Sequence, residues 1–425
     1  MERNVTIGFL GCGNIGSGVW RLLTGFAGDI AHRSSLRFTV KKVLVRDLGK
    51  KRDIDFPDGV LTTNPDDVLC DPEITIVAEY LGGEEPAYSY MRRALENGKT
   101  VVTANKVAFS LHWPALQEAA RRSGAGLYYE AAVCGAIPII RTLNDSLQAN
   151  AINTIFGIVN GTTNYILTRM SKNGERFEDV LYDAQRLGLA EPDPASDIDG
   201  LDAAYKLSVL ASLAFHGRVP FDSIYVEGIS RVTPEDIRCG QELGYTLKLL
   251  AIAKRKGLSV ETRVHPTFIK SDHPLANVQG SLNAVYLVGH ACQEMMFLGR
   301  GAGDMPTASA VVSDLELAAT AARHRYPTFD NCEHPATPLR PNRDWHCAFY
   351  IRLTAEDKPG VLSNIAGVFA ESGVSIAAMQ QKGESHEDHV SLVFITHEAS
   401  ERAMQQALGK LDREIATLRS MIRVE

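Results

Sequence analysis

Glu191, Asp193, Asp197, Asp199 and Asp202 crowd around two prolines between Gly188 and Lys206, where the chain enters an apolar segment carrying that lone lysine. Asp202 and Lys206 are four positions apart, so a helix sets both on one face. A carboxylate beside an ammonium group keeps it charged and aimed, which suits delivery of a proton to a reacting oxygen. A plain surface ion pair has the same spacing and contributes only about 0.3–0.5 kcal/mol. The pair gains meaning only from the elements around it.

Those elements begin with an alternation of strands and helices. Strands are expected at Val5–Gly11, Phe38–Val45, Thr75–Leu81 and Thr100–Ala104, with helices such as Asn14–Phe26 and Pro86–Asn97 between them. This order implies an α/β domain, a Rossmann-type doubly wound parallel sheet. At the first strand-to-helix junction stands Gly11-Cys12-Gly13-Asn14-Ile15-Gly16. Gly11 permits the tight turn, Gly13 admits a pyrophosphate to the backbone, and Gly16 lets helix and strand pack closely. The amides at Asn14 and Ile15 open the helix, whose positive end attracts phosphate. A bare glycine triplet is weak evidence, but strand before and helix after are the context a dinucleotide fingerprint needs. Cys12 reads as a small filler.

The ribose of such a cofactor falls near the end of the second strand, where Arg46 precedes Asp47, Lys50, Lys51 and Arg52. Arg46 and the basic run favour the 2′-phosphate of NADP, while Asp47 keeps NAD open. Thr103 and Lys106 follow the fourth strand at the carboxyl edge, where open sheets bind ligands; Lys106 either meets the nicotinamide end or merely starts a loop. Leu127–Val133 reads as a further strand. Glu130 lies there among apolar neighbours and requires either a hydrogen-bonded setting or a cation.

From Ala151 onward the pattern becomes α+β. Extended segments are expected at Ala151–Val159, Leu258–Phe268 and Ala284–Phe297, framing helices Thr162–Met170 and Phe177–Leu187 in a substrate and dimerisation domain. Thr162, Thr163 and Asn164 sit between strand and helix, placed either to cap it or to meet a polar ligand. Gly299–Gly303 precedes another helix that returns to the first domain. The expected division is 1–135 for the nucleotide domain, completed by about 305–325, and 136–304 for the substrate domain.

In order and spacing, Gly11–Gly16, Thr103–Lys106, Glu130–Ile140, Gly161–Asn164, Glu191–Lys206 and Gly301–Asp314 resemble homoserine dehydrogenase over roughly the first 320 residues. That family reduces L-aspartate 4-semialdehyde to L-homoserine with NAD(P)H, reversibly, on the route to threonine and methionine. The resemblance makes Lys206 the proton donor, Asp202 its substrate-binding neighbour, Glu191 the carboxylate that engages the amino acid, and Lys106 a cofactor contact. Gly188 and Gly303 match positions lining the substrate and cofactor pocket. Glu130, by its side chain, and Val133, Gly135 and Ile137, by their carbonyls, match a structural Na+ site. Cys134 and Asp304-Met305 depart from the more glycine-rich family pattern.

Residues 326–346 are rich in proline and polar residues and read as a linker. Beyond it, 347–425 shows a βαββαβ order, a ferredoxin-like unit. Its first turn, Asp357-Lys358-Pro359-Gly360-Val361-Leu362, resembles an ACT domain, an amino-acid-binding module. Asp357, Gly360, Val361 and Asn364 are the expected effector contacts and L-threonine the proposed effector. A pure dimerisation module is the alternative, and a homodimer or homotetramer is expected in either case.

Composition narrows the rest. The 425-residue chain is 45% hydrophobic and 22% charged with a net charge of −7, ordinary for a globular protein and unsuited to sequence-independent nucleic-acid binding. Seven cysteines show no metal-ligand rhythm or disulfide framework. No run has the ~20 apolar residues of a membrane span. With no leader pattern, a cytoplasmic protein without membrane or nucleic-acid partners is expected. Two rival readings are a phosphorylating aspartate-semialdehyde dehydrogenase with Cys134 as nucleophile, which needs a histidine base, and a non-catalytic amino-acid or redox sensor.

Overall fold

The computed structural model describes residues 2–321, 338–382, 389–411 and 415–425. Two compact units emerge, unit 1 being Met1–Ile155, Ala204–Ser223 and Asn283–Leu339, and unit 2 Phe156–Ala203, Ile224–Leu282 and Arg340–Glu425. No helix among the described residues is long and apolar enough to cross a membrane.

Unit 1 is built on six parallel strands in the order Leu61–Thr62, Leu36–Leu44, Arg3–Leu10, Ile76–Glu79, Thr100–Thr103 and Leu127–Tyr128. Chain reversal on either side of Arg3–Leu10 makes this a Rossmann sheet. Val5, Ile7 and Phe9 enter a core shared with Val19 and Leu23 of helix Asn14–Gly25 and with Ala308, Val311 and Leu315 of helix Asp304–Thr320. The two helices approach so closely at Gly18 that a Cβ there would lie 3.0 Å from the Ala308 methyl.

Two extended segments read from the sequence turn out differently. Leu127–Val133 is strand only at Leu127–Tyr128 and turns into a 3-10 helix at Glu130–Ala132. The Glu130 amide donates to Asp314 Oδ2 at 2.9 Å, and its carboxylate receives the Ile140 and Arg141 amides at 2.8 Å each. These bonds draw the chain away from the sheet. Ala284–Phe297 is a pair of strands, Leu282–Gly289 and Gln293–Arg300, the reversal falling where Gln293 takes a left-handed φ of 56°.

In unit 2, Tyr245–Lys256 pairs antiparallel with Ser259–Lys270 along twelve residues. The C-terminal part has the βαββαβ order, with strands His346–Glu356, Ile376–Lys382, His389–Thr396 and Ala416–Val424 and helices Val361–Glu371 and Glu401–Lys410. Phe349, Ile351, Leu353, Phe369, Phe394 and Met404 close its core. Its last strand also pairs parallel with Ser259–Lys270, matching Thr267 with Arg423 and Phe268 with Val424. The C-terminal sheet therefore extends the sheet of the substrate segment, a junction invisible in local sequence patterns. Of the expected linker, 326–337 lies outside the described residues. Arg340–Pro341 is ordered as a short strand against Ser259–Val260.

That junction buries charge. Arg423 and Arg263 are almost fully enclosed, and His265 lies fully buried on the same pair of strands, its Nε2 lacking a hydrogen-bond partner among the described residues. Burial, and then the charges of Arg423 and Arg263, hold its pKa well below the usual 6.5, against the opposing hydrogen bond with the Pro266 carbonyl. The unfolded chain therefore binds more protons below that pH, and stability falls as pH drops through about 6.5, by up to about 1.4 kcal/mol per unit. We expect the urea midpoint to fall between pH 6.5 and 5.5, and to fall less in His265→Gln; equal slopes would remove His265 from the acid response.

Candidate active site

Helix Leu201–Phe215 carries Asp202 and Lys206 on successive turns, both enclosed at 2% and 7% exposure. A surface ion pair would be neither so buried nor so placed. Residues preceding the helix set Asp202 in position. Asn160 follows strand Ile152–Ile158 by two residues and caps helix Gly161–Asn173, its Oδ1 accepting from the Thr163 amide at 2.9 Å. Its Nδ2 donates to Asp202 Oδ2 at 2.9 Å and to Asp197 Oδ1 at 2.7 Å. One asparagine thus holds a helix start, the acidic loop and the Asp202 carboxylate together.

Asn160 was not among the residues singled out from sequence. Of its neighbours, Thr163 completes this cap, its hydroxyl donating to Asn160 Oδ1 at 2.9 Å, while Thr162 and Asn164 fasten surrounding segments. Thr162 Oγ1 donates to the Leu189 carbonyl at 2.8 Å, and Asn164 Nδ2 to the carbonyls of Val278 and Leu282 at 3.2 and 3.1 Å. Burial lowers the nearby Lys248 amine to about 8. Gly188, with φ of 70°, ends helix Phe177–Arg186, and its amide donates to the Gln185 carbonyl. Glu191 is exposed, with its backbone carbonyl held by Gln185 Nε2 at 3.2 Å.

In unit 1 the glycine-rich turn has the shape a dinucleotide requires. Gly11 turns at φ of 95° against the Tyr80 backbone, and a Cβ on Gly16 would press the Gly11 carbonyl at 3.1 Å. Among the described residues a Cβ on Gly13 would meet nothing within 4 Å, which leaves open approach to the backbone ahead of Asn14 and Ile15. The first amides of a helix have no partner within it and are available to phosphate. Arg46 is exposed just beyond strand Leu36–Leu44, and Arg52 folds over this loop to donate to the Asp47 carbonyl at 2.7 Å.

At the carboxyl edge of the sheet, Thr103 Oγ1 donates to the buried Glu79 carboxylate at 2.6 Å. The same carboxylate receives the Leu81 amide at 2.7 Å and Asn105 Nδ2 at 3.3 Å. Asn105 also caps helix Lys106–Ser123, which puts Lys106 at its first position. Glu79, unnoticed in the sequence, ties together both loops at this edge. Burial pushes its carboxyl group up, against the opposing hydrogen bonds from Thr103, Leu81 and Asn105.

The loop Val133–Ile137 is a tight turn with left-handed Cys134 (φ 59°) and Gly135 (φ 50°), closed by the Ile137 amide on the Cys134 carbonyl at 3.0 Å. Gly135 packs against Gly301 so closely that a Cβ would lie 2.7 Å from the Gly301 oxygen. Glu130 spends one interaction of each carboxylate oxygen on the Ile140 and Arg141 amides, and a carboxylate oxygen can accept more than one. Carboxylate plus carbonyl oxygens is a donor set suited to a hard cation. Cys134 is buried, at 1% exposure. Gly303, with φ of 118°, starts helix Asp304–Thr320. In the C-terminal unit Gly360 (φ 93°) starts helix Val361–Glu371, its carbonyl accepts the Asn364 amide at 3.0 Å, and Asp357 accepts from Gln381 at 3.3 Å.

Comparison with known proteins agrees with these features. Residues 11–130 match the homoserine dehydrogenase NAD-binding domain, 138–315 the homoserine dehydrogenase family, and 349–416 the ACT domain. A homoserine dehydrogenase of Bacillus subtilis is 41% identical over 434 residues, covering 100% of this chain and 99% of that protein. The crystal structure of a homoserine dehydrogenase from Thiobacillus denitrificans superposes with a TM-score of 0.91 at 41% identity, covering 100% of this chain and 98% of that one. A hyperthermophilic archaeal homoserine dehydrogenase solved in complex with NADPH has a TM-score of 0.63 at 26% identity, over 76% of this chain and 100% of its own. The chain, an oxidoreductase with a Rossmann NAD-binding domain and a C-terminal ACT domain, belongs to the homoserine dehydrogenase family.

Proposed function

We propose that the chain reduces L-aspartate 4-semialdehyde to L-homoserine, and runs the reverse oxidation, with Lys206 as the proton donor and NADP as the preferred cofactor. The observation that carries this reading is the buried Asp202–Lys206 helix face held by Asn160. A bound nicotinamide supplies or accepts the hydride. As the carbonyl is reduced, negative charge develops on its oxygen; the Lys206 ammonium stabilises that charge and delivers the proton. Asp202 orients the lysine and the substrate, and Glu191 holds the substrate ammonium by a charge-assisted hydrogen bond beside Gly188. Gly11, Gly13, Asn14, Ile15, Gly16, Thr103, Lys106 and Gly303 would hold the dinucleotide.

Arg46 supports NADP because an exposed guanidinium at the end of the second strand suits a 2′-phosphate. Initial rates of L-homoserine oxidation with NADP+ and NAD+ test the reading. We expect a lower KM for NADP+ and, in Arg46→Ala, a rise of that KM by roughly tenfold with the NAD+ KM unchanged. Oxidation with neither nucleotide would refute the activity; equal effects on both would free Arg46 of its role.

Glu130, Val133, Gly135 and Ile137 would hold Na+ as a structural brace, since their loop is gripped by Gly301. The ACT domain supports regulation of the threonine and methionine pathway by an amino acid, L-threonine in this reading, through Asp357, Gly360, Val361 and Asn364. Met296 and Leu298 are exposed on the edge strand Gln293–Arg300, which supports assembly as a homodimer or homotetramer.

A further inference from the structure

Glu79 is fully enclosed inside unit 1, and the proposed reaction gives its carboxylate no part. It ends the otherwise apolar strand Ile76–Glu79, paired in parallel register with Thr103 of the neighbouring strand. Burying a carboxylate costs free energy unless hydrogen bonds or charges offset it. Stability alone therefore gives no reason for an acid here. The place does: this is the carboxyl edge, where open α/β sheets receive their ligands.

Donors from two loops converge on the carboxylate. The loop after its own strand sends the Leu81 amide to Oε1 at 2.7 Å, and the Gly82 amide bonds it as well. The loop after strand Thr100–Thr103 sends Thr103 Oγ1 to Oε2 at 2.6 Å and Asn105 Nδ2 to Oε1 at 3.3 Å. Asn105 also joins the loops directly, its Nδ2 donating to the Gly83 carbonyl at 2.8 Å. Its Oδ1 caps helix Lys106–Ser123 through the Ala108 amide at 3.0 Å. Gly82 and Gly83 take left-handed φ of 72° and 69°, which turns the first loop towards this clasp. Further along the helix, His112 Nε2 lies 2.7 Å from Glu84 Oε1 and holds the same loop again.

The residues directly after Glu79 also back the glycine-rich turn. A Cβ on Gly11 would lie 3.1 Å from a Leu81 methyl and 3.3 Å from the Tyr80 carbonyl, and one on Gly16 would lie 3.1 Å from the Tyr80 ring. One short segment thus touches the phosphate turn on one side and the start of the Lys106 helix on the other. We propose that Glu79 is a positioning residue of the dinucleotide site. Its carboxylate fixes the span between the glycine turn, which takes the pyrophosphate, and the loops that meet the nicotinamide end. Enclosed as it is, Glu79 acts through these loops and not on the reacting atoms. The assignment rests on the NADP reading above and deepens it. A reactive group displaced by about 1 Å loses on the order of 10²-fold in rate, so a slackened span shows in turnover as well as in affinity.

Titration of the full chain with NADPH, followed by fluorescence, and with 2′,5′-ADP, followed by calorimetry, tests the proposal. The second probe keeps the adenosine half of the cofactor and lacks the nicotinamide. Glu79→Gln keeps the shape and replaces one acceptor by a donor; Glu79→Leu removes both acceptors. The NADPH dissociation constant is expected to rise by about tenfold in Glu79→Gln and further in Glu79→Leu. With saturating NADP+, kcat for L-homoserine oxidation falls by roughly 10–10²-fold. The dissociation constant for 2′,5′-ADP stays within about threefold of the parent value in both variants. If Glu79→Leu does not fold, Glu79→Gln decides. Unchanged NADPH affinity and kcat in a folded variant, even one that melts earlier, would reduce Glu79 to packing and overturn the proposal. Loss of 2′,5′-ADP binding in step with NADPH would overturn it too, since the whole site would then have collapsed. A parent chain that binds no NADPH would overturn the cofactor reading, and the proposal with it, before any variant is made.

Discussion

Lys206→Met is expected to lower kcat by roughly 10²–10⁴-fold, the usual range for loss of a positioned general acid, while the dissociation constant for NADPH is unchanged. Methionine keeps the unbranched shape of the buried stem and removes the proton and the charge. The helix retains its anchor, because Asn160 holds Asp202 without the lysine. Loss of transition-state stabilisation therefore shows in kcat and kcat/KM together rather than in KM alone. Fluorescence titration of NADPH checks that the dinucleotide site is intact. Near-normal turnover in the folded variant would remove Lys206 from the proton-transfer step.

Arg423→Met carries the largest expected loss of stability, about 3–5 kcal/mol. The guanidinium is 1% exposed and bonds both oxygens of Glu401, at 2.9 and 2.6 Å, as well as Glu227 at 2.6 Å and the Tyr225 hydroxyl at 3.0 Å. It also lies over the Tyr225 ring, 4.9 Å from the centroid. Removal of one partner leaves the Glu401 carboxylate enclosed without its counter-charge, which costs more than the net contribution of the intact pair. Adding Glu401→Gln should recover part of the loss, since the orphaned charge is then gone. Chemical denaturation of the two single variants and the double variant reads this as a coupling energy. Additive losses would show that the two charges do not depend on each other.

The parts of this fold that were legible in sequence are those encoded locally. The glycine turn after the first strand, the Asp202–Lys206 spacing and the βαββαβ order each need fewer than about a hundred consecutive residues to be seen. Asn160 and Glu79 were missed for the opposite reason. Each is a single polar residue whose partner lies 42 or 24 positions away, and nothing in its immediate neighbours announces that partner. Leu127–Val133 has the composition of a strand, yet Glu130 is drawn off by Asp314, 184 positions later. The pairing of Ser259–Lys270 with Ala416–Val424 is likewise non-local. It gives the C-terminal sheet a partner strand within its own chain, where sequence suggested only a separate module.

NADPH consumption at 340 nm with L-aspartate 4-semialdehyde, in folded protein supplied with Na+, tests the central claim most directly. Steady turnover with L-homoserine as the product is the expected result, with suppression by L-threonine if the ACT domain reads that amino acid. Absence of turnover with both NADPH and NADH would contradict the account.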